Sequence, residues 1–264
     1  MTPTPPMQTG TARYFSLFLS EAQEVVRTTN CLIVTGSQHS HAPRILQNIP
    51  VVKDTDYTAD SRDILVSFIA NNEFHSFVYG VLLNSQSVHK KVTIIHDPQC
   101  FMNVDSMHWR KSSPKDVQGM REHIKYEMPL LQNWILNRWK GGVLPKILKY
   151  NLMAQSRIID LSDVLVVHSY YSAIKLILES GHGVDLPPVQ VMSHPRDPNA
   201  YDRRGGQSEK FVVGCCGWVS EFKRPVSVLK GFADFVHQLP EETRKSVELK
   251  FVGRVVDPNC DPNI

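Results

Sequence analysis

Short apolar blocks and longer amphipathic stretches take turns along this chain. Positions 31–35, 64–69, 92–95, 164–167 and 189–192 are runs rich in Ile, Val and Leu, each followed within two residues by Gly, Asn, His or Ser. Blocks of this length and β-branched content predict buried strands. Between them, positions 12–28, 74–83 and the stretch after 167 up to Glu179 carry apolar residues at helical spacing. The region 114–158 reads as mostly helix, broken near Gly141, Gly142 and Pro145. Near the end, 211–216 is a further apolar block. It leads into Gly217, then Lys223, Arg224 and Pro225, then a periodic apolar run, then 249–253. That order predicts strand, glycine turn, cationic loop, helix and strand.

Alternation of this kind predicts an α/β fold built on parallel sheets, in Rossmann-like fashion, with helices over the faces. In such sheets ligands bind beyond the carboxyl ends of the strands, most often at the point where strand order reverses. The expected rim therefore holds Gly36-Ser37, Asn71-Asn72, His96-Asp97, His168-Ser169, His194 and the stretch 214–223. Residues 195–209 are rich in Pro, Asp, Arg and Gly, which suits a linker. A first domain over 1–194 and the start of a second over 210–264 follow.

Composition narrows the function. The chain has 264 residues, 42% hydrophobic and 21% charged, with a formal charge of +3. Scattered Lys and Arg at so small a net charge argue against nucleic acid. No apolar run is long enough to span a bilayer, and the opening Met-Thr-Pro-Thr-Pro-Pro has no signal-peptide core. Five cysteines without CxxC spacing do not form a disulfide framework, so a reducing cytoplasmic setting is expected.

Several short strings then fall into one order. Pro5, Pro6, Gly10, Thr11, Ala12 and Tyr14 resemble a Pro-Pro…Gly-Ile-Ala-x-Tyr segment. Asn71, Asn72 and His75 resemble Gly-Asn-x-x-x-His, and Ile95-His96-Asp97 resembles Leu-His-Asp. Val167-His168-Ser169, Ser193-His194-Pro195 and the turn from Gly217 to Lys223 complete the series. Together they resemble the GT-B fold glycosyltransferases of the large retaining group that uses nucleotide-sugar donors. Trp218 stands where that group frequently has arginine. The resemblance implies an N-terminal acceptor-side domain and a C-terminal donor-binding domain. It also implies that a strand before Pro5 and most of the second domain, with its acidic donor-binding residues, lie outside these 264 residues; the isolated chain is then expected to show no turnover.

The resemblance assigns chemistry residue by residue. Lys223 and Arg224 would neutralise the donor's diphosphate as the leaving oxygens gather charge. Gly214 and Gly217 would make a tight turn aiming N–H groups at the anion, and Gly10 and Thr11 would add contacts from the first domain. His96 and Asp97 would orient a sugar hydroxyl or stabilise positive charge at the anomeric carbon; Asp97-Pro98 equally fits a plain turn. Asn71, Asn72, His75 and His168 would contact sugar hydroxyls, with Asn72 and Ser169 alternatively capping helices. No metal or other cofactor is implied. The Asp54-Thr55-Asp56 string and the pair His39 and His41 lack the further ligands a metal site needs.

The aromatic and basic stretch 129–140, with Trp134, Arg138 and Trp139, fits either a core-facing helix or a peripheral contact at the inner face of a membrane carrying a lipid-linked acceptor. Cys215 and Cys216, inside an expected buried strand, are read as inert. Three functions remain. The first is transfer of a sugar from a nucleotide sugar to an acceptor hydroxyl on a sugar, polysaccharide or lipid carrier. The second is a non-catalytic, glycosyltransferase-derived partner protein whose open sheet edge another chain completes. The third, an unrelated nucleotide-binding enzyme, is disfavoured because no GxGxxG or GxxxxGK[ST] string follows a strand.

Overall fold

The structure, a computed structural model, describes residues 1, 4, 10–37, 39, 42–109, 114–179, 186–195, 210–217, 219–220, 223–253 and 255. The chain divides into two compact units, Met1–Asp197 and Pro198–Ile264.

The first unit opens with α1 (Gly10–Glu21) and α2 (Gln23–Thr28), parted at Ala22. The expected helix over 12–28 is thus two. Its end is chemical: the Thr28 and Thr29 hydroxyls bond back to the carbonyls of Glu24 and Val25, competing with continuation of the helix. β1 (Ile33–Thr35) pairs in parallel with β3 (Ile49–Lys53), and β2 (Ile45–Leu46) pairs antiparallel on the other edge of β3. The β2–β3 hairpin turns on Gln47 and Asn48, both left-handed at φ 48° and 66°, as a two-residue type I′ loop requires.

The main sheet is β4 (Ile64–Ile69), β5 (Lys90–Ile95), β6 (Val164–Val167) and β7 (Val189–Val191), all parallel and in sequential order. The register aligns Ile69 with Ile95, Ile95 with Val167, and Val167 with Val191. Four strand tips therefore end in one row, and the polar residues after them emerge along one rim.

Helices cover the crossings. A 3-10 turn (Glu73–His75) and α3 (Ser76–Asn84) link β4 to β5. Among the described residues five α-helices lie between β5 and β6: α4 (Phe101–His108), α5 (Val117–Glu127), α6 (Gln132–Lys140), α7 (Lys146–Asn151) and α8 (Ser156–Asp160). α9 (Tyr170–Glu179) links β6 to β7. The period-2 alternation of the strands sorts two cores. Leu65, Ile69, Ile95, Leu165 and Val167 pack with Tyr79, Phe101, Ile124, Ile135, Trp139 and Ile158. Phe68, Ile94 and Val166 face the other way, onto Tyr14, Phe15 and Leu19 of α1. At the β4 edge the Met1 ammonium donates to the Val66 carbonyl, and the Met1 carbonyl accepts from the Phe68 amide at 2.9 Å.

The second unit contains β8 (Phe211–Cys216), α10 (Pro225–His237), α11 (Glu241–Arg244) and β9 (Val247–Val252). β8 and β9 pair in parallel from Phe211 opposite Val247 to Cys216 opposite Val252, extended by a bridge between Val219 and Val255. This is one βαβ unit. No helix among the described residues is long and apolar enough to cross a membrane.

Candidate functional site

The aligned strand tips bring histidines from three segments together. His96 follows β5, His168 follows β6 and His194 follows β7. The His168 and His194 rings stack at 4.0 Å between centroids, and His96 lies 4.7 Å from His168. Tyr14, one turn into α1, packs its ring against all three, at 4.6 Å from His96, 5.0 Å from His168 and 5.4 Å from His194.

The hydrogen bonds determine which nitrogens carry protons. The Met192 carbonyl only accepts, so His168 Nδ1–H donates to it at 2.9 Å. His168 Nε2 therefore has a lone pair, which accepts from His96 Nδ1–H at 3.0 Å. His96 Nε2 is left with a lone pair that is buried and unpartnered among the described residues; the Tyr14 hydroxyl is likewise buried and unpartnered. Burial, reinforced by the neighbouring imidazoles, lowers the His96 pKa to about 2. Burial also lowers His168, against the opposing Met192 bond, and raises Tyr14 to about 12. His96, His168 and Tyr14 are neutral at ordinary pH. His96 is consequently a weak base but a pre-oriented hydrogen-bond acceptor, because burial disfavours its charged form.

The neighbouring loops hold this rim in place. The Asn71 amide donates to the Asp97 carboxylate at 3.0 Å, and the Asn71 side-chain oxygen accepts from the Met102 amide at 2.9 Å. Asp97 thus ties the β4 and β5 tips together and remains near His96. Asn72 caps the 3-10 turn by accepting from the Phe74 amide at 3.1 Å, and Ser169 caps α9 through the Ser172 amide at 3.1 Å.

His75 and Thr11 lie elsewhere. Both are buried and bonded to each other: His75 Nδ1–H donates to the Phe68 carbonyl at 2.7 Å, and the Thr11 hydroxyl donates to His75 Nε2 at 3.2 Å. Neither has a free group for a sugar; they pin α1 to β4. Gly10 opens α1, and its expected partners Pro5 and Pro6 lie outside the described residues. His39 is also internal, beside the Thr35 hydroxyl, while Asp54 accepts from the Ser37 amide. His41 is outside the described residues.

In the second unit the turn after β8 depends on two glycines. Gly217 sits at φ +113° and Gly253 at φ +156°, where a Cβ would fall 1.8 Å from the Gly217 carbonyl oxygen. Gly214 does not belong to this turn. It lies within β8, opposite Lys250, and a Cβ there would meet nothing. Its expected role at an anion is therefore corrected, since its amide lies in the strand. Lys223 is exposed and Arg224 takes a left-handed conformation at φ 48° before Pro225 opens α10. Trp218 is outside the described residues.

The aromatic stretch divides. Trp139 is buried and donates to Asp105, which also pairs with Lys149 at 2.8 Å. Trp134 is exposed beneath the Arg138 guanidinium, and Leu130 is 98% exposed. Sequence reasoning also missed a second polar string. Asp116, His108, His123, Tyr79 and Glu127 are linked by successive contacts of 2.9, 3.3, 2.8 and 3.1 Å. Glu127 ends it by accepting the Ser156 and Arg157 amides at the start of α8, a capping role that no spacing along the sequence reveals.

Tyr14 was legible only as part of a family string, because its role arises from α1 crossing the sheet. A scan of protein-family models, a search of curated proteins and a search of solved structures each return no match for this chain.

Proposed function

We propose that this chain is a glycosyltransferase of GT-B type, in which a sugar passes from a nucleotide-sugar donor to an acceptor hydroxyl. What supports the reading is the polar rim of the first unit: neutral His96, anchored through His168 to the Met192 carbonyl, with Asp97 beside it at the carboxyl end of a parallel sheet. A buried, unpartnered imidazole lone pair calls for a donor, and a sugar hydroxyl supplies one. With so low a pKa, His96 acts by accepting a hydrogen bond that orients the sugar, not by removing its proton.

In the second unit Lys223, next to a glycine turn and the start of α10, is the cation for the diphosphate. As the glycosyl–oxygen bond breaks, the departing phosphate oxygen gains charge that a lysine stabilises. Asn71 and Asn72 serve here as supports through their side-chain oxygens, which accept from backbone amides.

The test is calorimetry of the full chain with UDP and GDP, together with nucleotide release from a panel of nucleotide sugars. Binding of a nucleoside diphosphate that weakens at least about tenfold in Lys223→Ala, equal to about 1.4 kcal/mol, is expected. His96→Ala should leave that binding intact and abolish saturation-transfer signals from the cognate sugar. Failure to bind either nucleoside diphosphate would remove the reading; nucleotide release is not expected of the isolated chain.

One observation favours a second function. The second unit exposes Phe211 at 65%, Val252 at 57%, and also Val226, Leu229 and Phe235. Apolar surface of this kind suits a non-catalytic partner protein whose sheet another chain completes. A well-behaved monomer in sedimentation that also has a high melting temperature would count strongly against it.

A further inference from the structure

We infer that His96, His168 and His194 form a binding site for a late first-row transition-metal ion such as Zn2+. The resemblance implies no metal, so this goes beyond the proposed transferase and does not depend on it.

The geometry comes first. One nitrogen from each ring lies within 4.8 Å of the others, and no other described group of His, Cys, Asp or Glu converges in this way. Tetrahedral zinc with bonds of about 2.0–2.1 Å sets its nitrogens roughly 3.3 Å apart. His96 Nδ1 and His168 Nε2 are 3.0 Å apart, so the pair opens by only a few tenths of an ångström to admit an ion. His194 is exposed and unburdened by the core, so its ring is free to leave the stack with His168 and turn toward the same point.

One of the three rings already has the outer bond of a ligand. An imidazole that binds a metal through one nitrogen ordinarily donates the other N–H to a carbonyl or carboxylate. His168 does so to Met192. His96 has its spare lone pair on Nε2, with no partner. When the ion takes the place of the Nδ1 proton, that proton moves to Nε2, so the ring stays neutral without releasing it, and Nε2 then donates where the metal-free ring accepts. Three imidazoles on a tetrahedral ion leave one position for water or a substrate oxygen, the coordination of catalytic zinc. Soft-to-borderline ions suit this all-nitrogen set; Mg2+ and Ca2+, which want oxygen, do not.

The experiment uses the untagged full chain, with ZnCl2 titrated by calorimetry and Co2+ by visible absorption. One ion per chain and a Co2+ spectrum with ligand-field bands are expected. Exposed His194→Ala should weaken binding at least about tenfold, and His168→Ala should abolish it. Exposed His89→Ala, a control away from the rim, should change nothing. Circular dichroism of each variant separates ligand loss from unfolding, and His194→Ala, at the surface, decides the matter if His168→Ala does not fold. Absence of zinc binding in the wild type, or equal affinity in His194→Ala, overturns the site. Neither result touches the diphosphate titration that tests the transferase.

Discussion

The chain contains two parallel strand pairs with the same local recipe and opposite fates. In the first unit β4 and β5 share one burial sequence, exposed at the first residue and fully buried over the last three. In the second, β8 and β9 hold only exposed and half-buried residues, and only Val219 and Pro225 are buried among the described residues of that unit. Parallel register, shared by both pairs, does not explain the contrast. Cover does. The main sheet has α1 over one face and the longer helical layer over the other. In the second unit the half-buried apolar positions are Val213, Cys215, Val247, Leu249 and Phe251 along the strands, and Val228, Phe232 and Val236 along α10. That is one covered face, whereas a parallel sheet ordinarily buries both. A βαβ unit supplies half the burial a parallel ladder calls for.

The sharpest break of this comparison is a pair of phenylalanine truncations. Phe68 is buried against the rings of Tyr14, Phe15 and Phe18. Phe68→Ala should lower unfolding free energy by about 3–5 kcal/mol, read from urea denaturation. Phe211→Ala, on the exposed face of β8, should change it by less than about 0.5 kcal/mol. Equal losses at the two sites would mean that the second unit is as well covered as the first.

Acid sharpens the same contrast. Burial lowers the His75 pKa to about 4; His39 and the Met1 ammonium act in the same direction, and the Phe68 carbonyl opposes them. The folded value lies below the unfolded 6.5, so the unfolded chain takes the proton first. His75 thus contributes stability in full above pH 6.5, and the contribution drains away as pH falls toward 4. The loss is about 1.4 kcal/mol per pH unit, about 3 kcal/mol by pH 4. Denaturation at pH 7, 5.5 and 4 should show this slope in the first unit, reduced in His75→Gln. A flat profile in the wild type would contradict the buried neutral ring.

The smallest effect belongs to the second unit. Arg224 sits in the left-handed region, which costs a non-glycine residue about 1 kcal/mol. Arg224→Gly should therefore raise the unit's melting point slightly while removing one cation next to Lys223. Destabilisation in that variant would show that Arg224 has a packing role outweighing its backbone strain.

Much of the first unit was readable because its strands obey local rules. Ile64–Ile69 and Val164–Val167 appear at their expected bounds. The β2–β3 hairpin did not announce itself. Its turn is Gln47-Asn48 without glycine, and Pro50 interrupts the apolar run of β3, the middle strand of its small sheet. α4 escaped for another reason. Its Asn103 and Asp105 are polar yet buried, Asn103 donating to the Ala70 carbonyl and Asp105 held by the Trp139 indole and Lys149, so the apolar stripe is interrupted. In the same way His75 looked like a site residue and is a tie between helix and strand.

What the amino-acid order decided by itself was the alternation of strands and helices, and with it the rule that polar residues after the strands gather at one end. His96, Asp97, His168 and His194 were placed there by local pattern, since strand ends are set by short-range propensity. Tertiary structure decided which of those side chains remain available. The Met192 carbonyl oriented His168, His168 oriented His96, and Tyr14 arrived from a helix over 80 positions earlier in the chain than His96. Such choices depend on burial and on hydrogen bonds between distant segments, and neither quantity exists until the chain has closed on itself.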